Sequence, residues 1–379
     1  MLSDILDPPL RIVMLPNVSG GIGHISRTIA LARALRRREP RVEVEFVLDT
    51  ERLRPFNIDA TMQMGFRPRL MPPRTRENRN GIVRACLGSA DVIVDDVARY
   101  LLPLRQVVPE AAWISILMHP VNDELFQDWP FMAQMETLIW PYAPLVSLPP
   151  ELAQFEGKIK RTGPFLETDG VPEKAVARQQ LGLQDDEQAV VYAPRGFPFG
   201  PEFGHRVLIS TYEAVKALRS GAYPHLKLIL LAVTDAAELR AAGLPEVLPE
   251  WVVVEGVVTP ARSMLYTRAA NVVIAEGTST MHEGAALRTS LVLIPGPIQE
   301  TTILAEKLAE EKVAPILKLA DVTADALAAL FKTFMADPAA NAVALSRAAA
   351  LVTGGGGVDA AAGLVLAMAA RQRTARILA

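Results

Sequence analysis

The sequence predicts an α/β protein made of two doubly wound domains, and three observations carry that expectation. Short β-rich runs alternate with helical ones, the alternation stops in a proline-rich passage and then resumes, and the strands end in glycine or polar residues. With 379 residues, half of them hydrophobic, the chain is also longer than one core usually serves.

The first set of strands is RIVMLPNV (11–18), VEVEFVLD (42–49), ADVIVDD (90–96) and AAWISILM (111–118). Between the first two, Ile25, Ile29, Ala32 and Leu35 have the spacing of one helix face. Strand, helix, strand in that order implies a parallel sheet with helices on both faces. The break comes at WPYAPLVSLPP (140–150) and RTGPFLETDGVPEK (161–174). The second set is AVVYAP (189–194), LKLILLA (226–232), WVVVEG (251–256), NVVIAEG (271–277) and SLVLIPG (290–296). The expected domains are 1–165 and 166–379, with the last helix free to pack back on the first. In open sheets of this kind ligands sit beyond the carboxyl ends of the strands, so two such edges facing across a cleft are expected to form the site.

Composition excludes several classes. Thirty-nine basic against forty-two acidic residues leave a net charge of −3, without the surplus that neutralising a nucleic-acid backbone requires, so no nucleic-acid partner is expected. Arg36, Arg37 and Arg38 read as the solvated, dipole-favoured end of a helix. One cysteine, Cys86, rules out an internal disulfide and a multi-cysteine metal site. The acidic, proline-broken start MLSDILDPPLR is unlike a secretory signal, and no apolar run reaches the ~18 residues that span a bilayer. A cytoplasmic protein is the expectation, with peripheral membrane contact left open.

The strand ends hold the chemistry. Gly20, Gly21, Ile22, Gly23 and His24 follow the first strand, where glycines let the backbone turn tightly and the next helix offers free amides to an anion. A dinucleotide loop wants G-x-G-x-x-G, but Ser26 stands in the third place, and Asp49 alone at the second strand end is a weak ribose partner. The next ends carry Asp95 and Asp96, then His119, Asn122 and Asp123. In the second set a strand ends at Glu276 and Gly277, Thr278, Ser279 and Thr280 open a helix, and Glu283 follows. Those hydroxyl residues suit helix capping, and equally a diphosphate.

GGIGHISRTIALARAL, ADVIVDD, ISILMHPVN, RTGPF and above all EGTSTMHEGAALRTSLVLIPGP resemble, in order, segments of the GT-B glycosyltransferases, most closely the branch containing the bacterial N-acetylglucosaminyltransferase of peptidoglycan synthesis. The resemblance implies two Rossmann-like domains and transfer of a sugar from a nucleotide diphosphate, UDP-linked in this branch, to an acceptor, inverting and without metal or cofactor. Carried over, Glu283 matches the residue that binds the ribose hydroxyls, and Gly277, Thr278, Ser279 and Thr280 the diphosphate turn. Val257 and Val258 match the segment whose backbone reads the base. Arg195, in the first loop of the donor domain, would neutralise the leaving diphosphate. Gly21, Gly23, His119 and Asn122 fall on the acceptor side. Glu300 fits the acidic place near the donor sugar, but the glutamines that usually follow are replaced by Thr301 and Thr302. G-x-G-H-x-x-R, Gly21 to Arg27, also resembles nucleotide-sugar hydrolases of the same fold, and the altered sugar segment fits a non-catalytic nucleotide-sugar-binding subunit too.

Sugar transfer needs a base for the nucleophile, stabilisation of an oxocarbenium-like centre and charge relief on the diphosphate. His24 suits the first role, with Asp95 or Asp96 holding its tautomer. The two aspartates are adjacent on a strand and point to opposite faces, so at least one is a structural partner, and no Asp-x-Asp metal site is formed. FQDWPFMAQMETLIW (126–140) reads as core, or as an apolar surface for a lipid or natural-product acceptor. The acceptor and the oligomeric state are not written in these patterns.

Overall fold

The computed structural model describes residues 8–18, 23–51, 53, 55–73, 75–96, 102–118, 129–193, 201–232, 236–256 and 258–378. Packing divides the chain into two compact units, Met1–Leu166 with Gly354–Ala379, and Glu167–Thr353. The last helix, counted by chain order with the second domain, thus has its core partners in the first.

The first unit contains β1 (Arg11–Pro16), α1 (Gly23–Arg38), β2 (Glu43–Asp49), α2 (Pro55–Gln63), β3 (Pro68–Met71), α3 (Arg79–Leu87), β4 (Val92–Asp96), α4 (Leu102–Val107), β5 (Ala112–Ile116), α5 (Trp129–Gln134), β6 (Thr137–Trp140) and β7 (Ile159–Arg161). Its strands are all parallel in the order β3-β2-β1-β4-β5-β6-β7. β1 and β4 are buried almost end to end, as strands covered on both faces must be, which is why they read as continuous apolar runs. α1 buries Ile25, Ile29, Leu31 and Leu35 on this sheet.

Three strands escape the sequence reading. β3 is a four-residue edge strand opening on proline, β7 has three residues, and β6 lies inside the aromatic and methionine-rich stretch. Within that stretch Met132, Met135, Leu138, Ile139 and Trp140 are buried in the core while Pro130, Ala133, Gln134 and Glu136 are exposed, and residues 126–128 lie outside the described residues.

The second unit contains α6 (Lys174–Gln180), β8 (Gln188–Tyr192), α7 (Pro201–Arg219), β9 (Leu226–Leu231), α8 (Ala236–Ala241), β10 (Val252–Gly256), α9 (Pro260–Ala269), β11 (Val272–Ala275), α10 (Thr278–Ala286), β12 (Ser290–Leu293), α11 (Gln299–Glu310), α12 (Ala324–Ala336) and α13 (Pro338–Val352). Its parallel order is β10-β9-β8-β11-β12, the same winding as β3-β2-β1-β4-β5. Val190, Leu228, Ile274 and Val292 meet Val207, Val215 and Phe331 of α7 and α12 in its core.

The chain returns to the first unit through Gly354–Gly356 into α14 (Gly357–Leu378). This return lies against the outgoing segment at Thr162 and Gly163. The Gly357 amide donates to the Thr162 carbonyl at 2.6 Å, and a Cβ on Gly163, whose φ is +80°, would stand 2.1 Å from the Gly354 oxygen. α14 then lays Val358, Ala362, Val365 and Ala369 into the first core beside α1. Its end seals the amino edge of the sheet: Arg373 pairs with Asp91, 3% exposed, and Arg376 donates to the carbonyls of Ala90 and Glu110. Among the described residues no single helix is long and apolar enough to cross a membrane.

Candidate functional site

In a doubly wound sheet the crevice for a ligand opens where the strand order reverses. In the first unit that point lies between β1 and β4, where Pro16 pairs in register with Asp96. α1 starts at Gly23 and sets His24 in its first turn; Gly20, Gly21 and Ile22 lie outside the described residues. The His24 Nδ1 stands 3.3 Å from Oδ2 of Asp96. Arg27, one turn further along α1, donates Nε to the same Oδ2 at 3.0 Å and Nη2 to Oδ1, a forked pair. The same Nη2 lies 3.0 Å from His24 Nδ1.

Asp96 is fully buried while His24 and Arg27 keep side-chain exposures of 14% and 19%. Burial alone would raise the Asp96 carboxyl, but the Arg27 guanidinium and His24 outweigh it and hold it below the ordinary carboxylate range. Asp96 is therefore the carboxylate of this group. Asp95, also buried, instead accepts the Ser115 hydroxyl at 2.8 Å from its register partner on β5. Alternation along the strand sends adjacent side chains to opposite faces, so one of the pair can reach His24 and the other cannot. His119, Asn122 and Asp123 lie outside the described residues.

In the second unit the reversal lies between β8 and β11. The Tyr192 hydroxyl, at the end of β8, donates to Glu276 just beyond β11, and both are buried. Burial, then the adjacent Glu276 charge, push the phenol well above its ordinary value, so it stays a proton donor. Gly277 is the N-cap of α10 and, as glycine, has no side chain to cap it. Thr278, Ser279 and Thr280 thus lie inside the first turn rather than at the cap, and helix geometry leaves their amides without intrahelical acceptors. The Thr278 hydroxyl turns to Glu300, donating to Oε1 at 3.2 Å, and Glu300 is 7% exposed in the first turn of α11.

Glu283 sits on α10 with no hydrogen-bond or ion-pair partner among the described residues, and burial pushes its carboxyl up to about 7. Next to it His282 is buried, its Nε2 without a partner among the described residues, and burial lowers its imidazole to about 4. Val258 is partly exposed just before Thr259, whose hydroxyl caps α9 by accepting from the Arg262 amide. Arg195 and Val257 lie outside the described residues.

The sequence placed Arg27 in the G-x-G-H-x-x-R motif without a role of its own, and gave none to Tyr192 or His282. Arg27 carried a signal, three residues from His24 on one helix face; Tyr192 and His282 carried none, because burial is a tertiary property. Among the described residues no group of three or more His, Cys, Asp or Glu side chains is placed to hold a metal ion.

No family model and no curated sequence matches the chain. Solved structures do. The chain is similar to the glycosyltransferase of kitacinnamycin (20% identity, TM-score 0.62, 95% of this chain and 99% of that one). It is similar to MurG of Acinetobacter baumannii (14% identity, TM-score 0.59, 95% and 100%). It is also similar to the UDP-GlcNAc 2-epimerase of Neisseria meningitidis solved with UDP-GlcNAc (9% identity, TM-score 0.61, 96% and 100%). With two parallel-sheet α/β units wound alike, the chain has the GT-B fold that its glycosyltransferase neighbours share.

Proposed function

We propose that the protein is a glycosyltransferase that moves a sugar from a nucleotide diphosphate, UDP-linked, to an acceptor hydroxyl with inversion and without a metal ion. The observation that carries this reading is His24 held between Asp96 and Arg27 at the reversal point of a GT-B sheet. In the transfer His24 takes the acceptor proton at Nε2 while Asp96 receives Nδ1–H and stabilises the imidazolium that forms. The second unit holds the donor. The uncapped amides of Thr278, Ser279 and Thr280 receive the diphosphate and offset the charge it gains on leaving, with Arg195 as a further cation. Glu283, unpartnered, accepts the ribose hydroxyls, the 257–258 backbone reads the base, and Glu300 lies next to the diphosphate turn on the sugar side.

A second reading, another nucleotide-sugar enzyme of the same fold such as a hydrolase, is favoured by the epimerase likeness and by the His24-x-x-Arg27 spacing. A nucleotide-sugar panel with and without a set of lipid and natural-product alcohols separates these. Glycoside formed only with acceptor supports transfer, diphosphate released at once without acceptor supports hydrolysis, and tight binding without turnover leaves a binding subunit.

A further inference from the structure

Near the start of the second unit α6 packs on α9, and together they bring three cations to one helix end. Lys174, the first residue of α6, donates Nζ to the Ala270 carbonyl at 2.7 Å. Arg178, one turn on, donates Nη1 to the neighbouring Ala269 carbonyl at 3.3 Å and Nη2 to the carbonyls of Gln184 and Glu187. Arg268, in the last turn of α9, donates to the Leu287 carbonyl and pairs with Glu173. A helix leaves carbonyls unbonded at its C-terminus, and these draw the cations in.

The three are not equal there. A guanidinium keeps its charge in such a place, whereas an ammonium sheds its proton when its surroundings oppose it. Glu173 is taken by Arg268, and among the described residues Lys174 has no carboxylate partner, unlike Lys216, Lys227 and Lys307, which pair with Glu213, Glu187 and Glu310. The Lys174 side chain as a whole is exposed, but Nζ is drawn against the carbonyl; that burial, then the Arg178 and Arg268 charges, lower its ammonium to about 8. At pH 8 about half of it is amine, against roughly one part in 250 for an ordinary lysine near 10.4.

We propose that Lys174 is a carbamate-forming site for carbon dioxide. The Nζ lone pair attacks the carbon, a C–N bond forms as one C=O π bond opens onto oxygen, and one N–H proton leaves to solvent. Nothing is oxidised or reduced. The N–H that remains keeps the bond to Ala270, and the new carboxylate stands beside the Arg178 and Arg268 guanidinium groups, so three like charges become two cations with an anion among them. Carbon dioxide is small and uncharged, and so reaches a nitrogen drawn in against a helix end. The site is separate from His24 and Glu283 and does not depend on the reaction proposed for them.

Protein equilibrated with 13C-bicarbonate at pH 8, trapped with triethyloxonium and digested, tests this by mass spectrometry, because ethylation fixes a carbamate as a labelled ester. The α-amino group of the chain, ordinarily near 7.7, is the positive control. The expected result is a labelled ethoxycarbonyl group on Lys174 at severalfold or more the occupancy of Lys216, Lys227 or Lys307. Untrapped protein should show a carbamate 13C signal besides that of the α-amine, and Lys174→Arg should abolish it. Lys174→Arg keeps a cation at the Ala270 carbonyl, and should it not fold, trapping on the unmodified protein decides. A labelled α-amine with Lys174 unlabelled, or labelled no more than those three lysines, overturns the proposal, as does a second carbamate signal that survives in Lys174→Arg.

Discussion

The two sheets share one winding, yet their reversal points are filled in opposite ways. At β1/β4 the described polar groups are committed to one another: His24, Arg27 and Asp96 hold together, and the Asp96 carboxyl is depressed. At β8/β11 the N-cap is a glycine without a capping side chain, Glu283 has no partner among the described residues, and its carboxyl is raised. A closed ionic group suits a proton-handling centre that must be in place before substrate arrives. A site with open donors and an uncommitted acid suits binding, where the ligand completes the hydrogen bonds.

The largest expected effect tests the closed side. Arg27→Ala leaves Asp96 buried without its cation, and such a loss costs about 3 to 5 kcal/mol. Denaturation followed by tryptophan fluorescence reads it in the first unit, which holds Trp113, Trp129 and Trp140, while Trp251 belongs to the second. A midpoint equal to the parent's would show that the group is not closed.

Next is turnover. His24→Ala should lower it about a hundredfold or more with nucleotide affinity unchanged, since a general base contributes to the reaction and not to donor binding. Turnover per folded molecule near the parent's would leave His24 a structural residue only.

Glu283→Ala probes the open side and should show the reverse pattern, a fold left intact and nucleotide affinity weakened by about 1.5 to 3 kcal/mol through lost charge-assisted hydrogen bonds. Calorimetric titration with UDP checks it, and unchanged affinity removes Glu283 from the donor site.

The smallest effect is in pH. Glu283 has a folded value near 7, above the ~4.3 of an unfolded glutamate. Below ~4.3 it is protonated in both states and carries no penalty. Between there and 7 the unfolded chain ionises first, so the second unit loses stability across that window and the loss levels off above it. Urea midpoints of the parent should therefore fall relative to those of Glu283→Gln as pH rises from ~4.3 to 7, and parallel curves would place Glu283 in ordinary solvent.

Much of this was legible in the chain because it is periodic. β1, β4, β8, β9 and β12 are short apolar runs bounded by turn residues, and α1 shows its buried face in Ile25, Ile29, Ala32 and Leu35. β3, β6 and β7 were not, because three or four residues carry too little pattern to separate a strand from a proline-rich loop. Thr278 to Thr280 looked like caps, since capping is a local preference, but the cap position fell to Gly277.

By itself the sequence determined the parallel α/β winding and the position of His24 in the first turn of α1, since strand runs and helix faces act over a few neighbours. Only the tertiary structure decided that Asp96 rather than Asp95 meets His24, that Arg27 contacts both, that α14 closes the first core and seals Asp91 with Arg373, and that Glu283 has no partner among the described residues. Apart from the His24–Arg27 pair on one helix, these contacts join residues tens to hundreds of positions apart, and which of two adjacent carboxylates is buried against a cation depends on the face to which the sheet turns it. No local pattern encodes that face until the neighbouring strands and helices have packed.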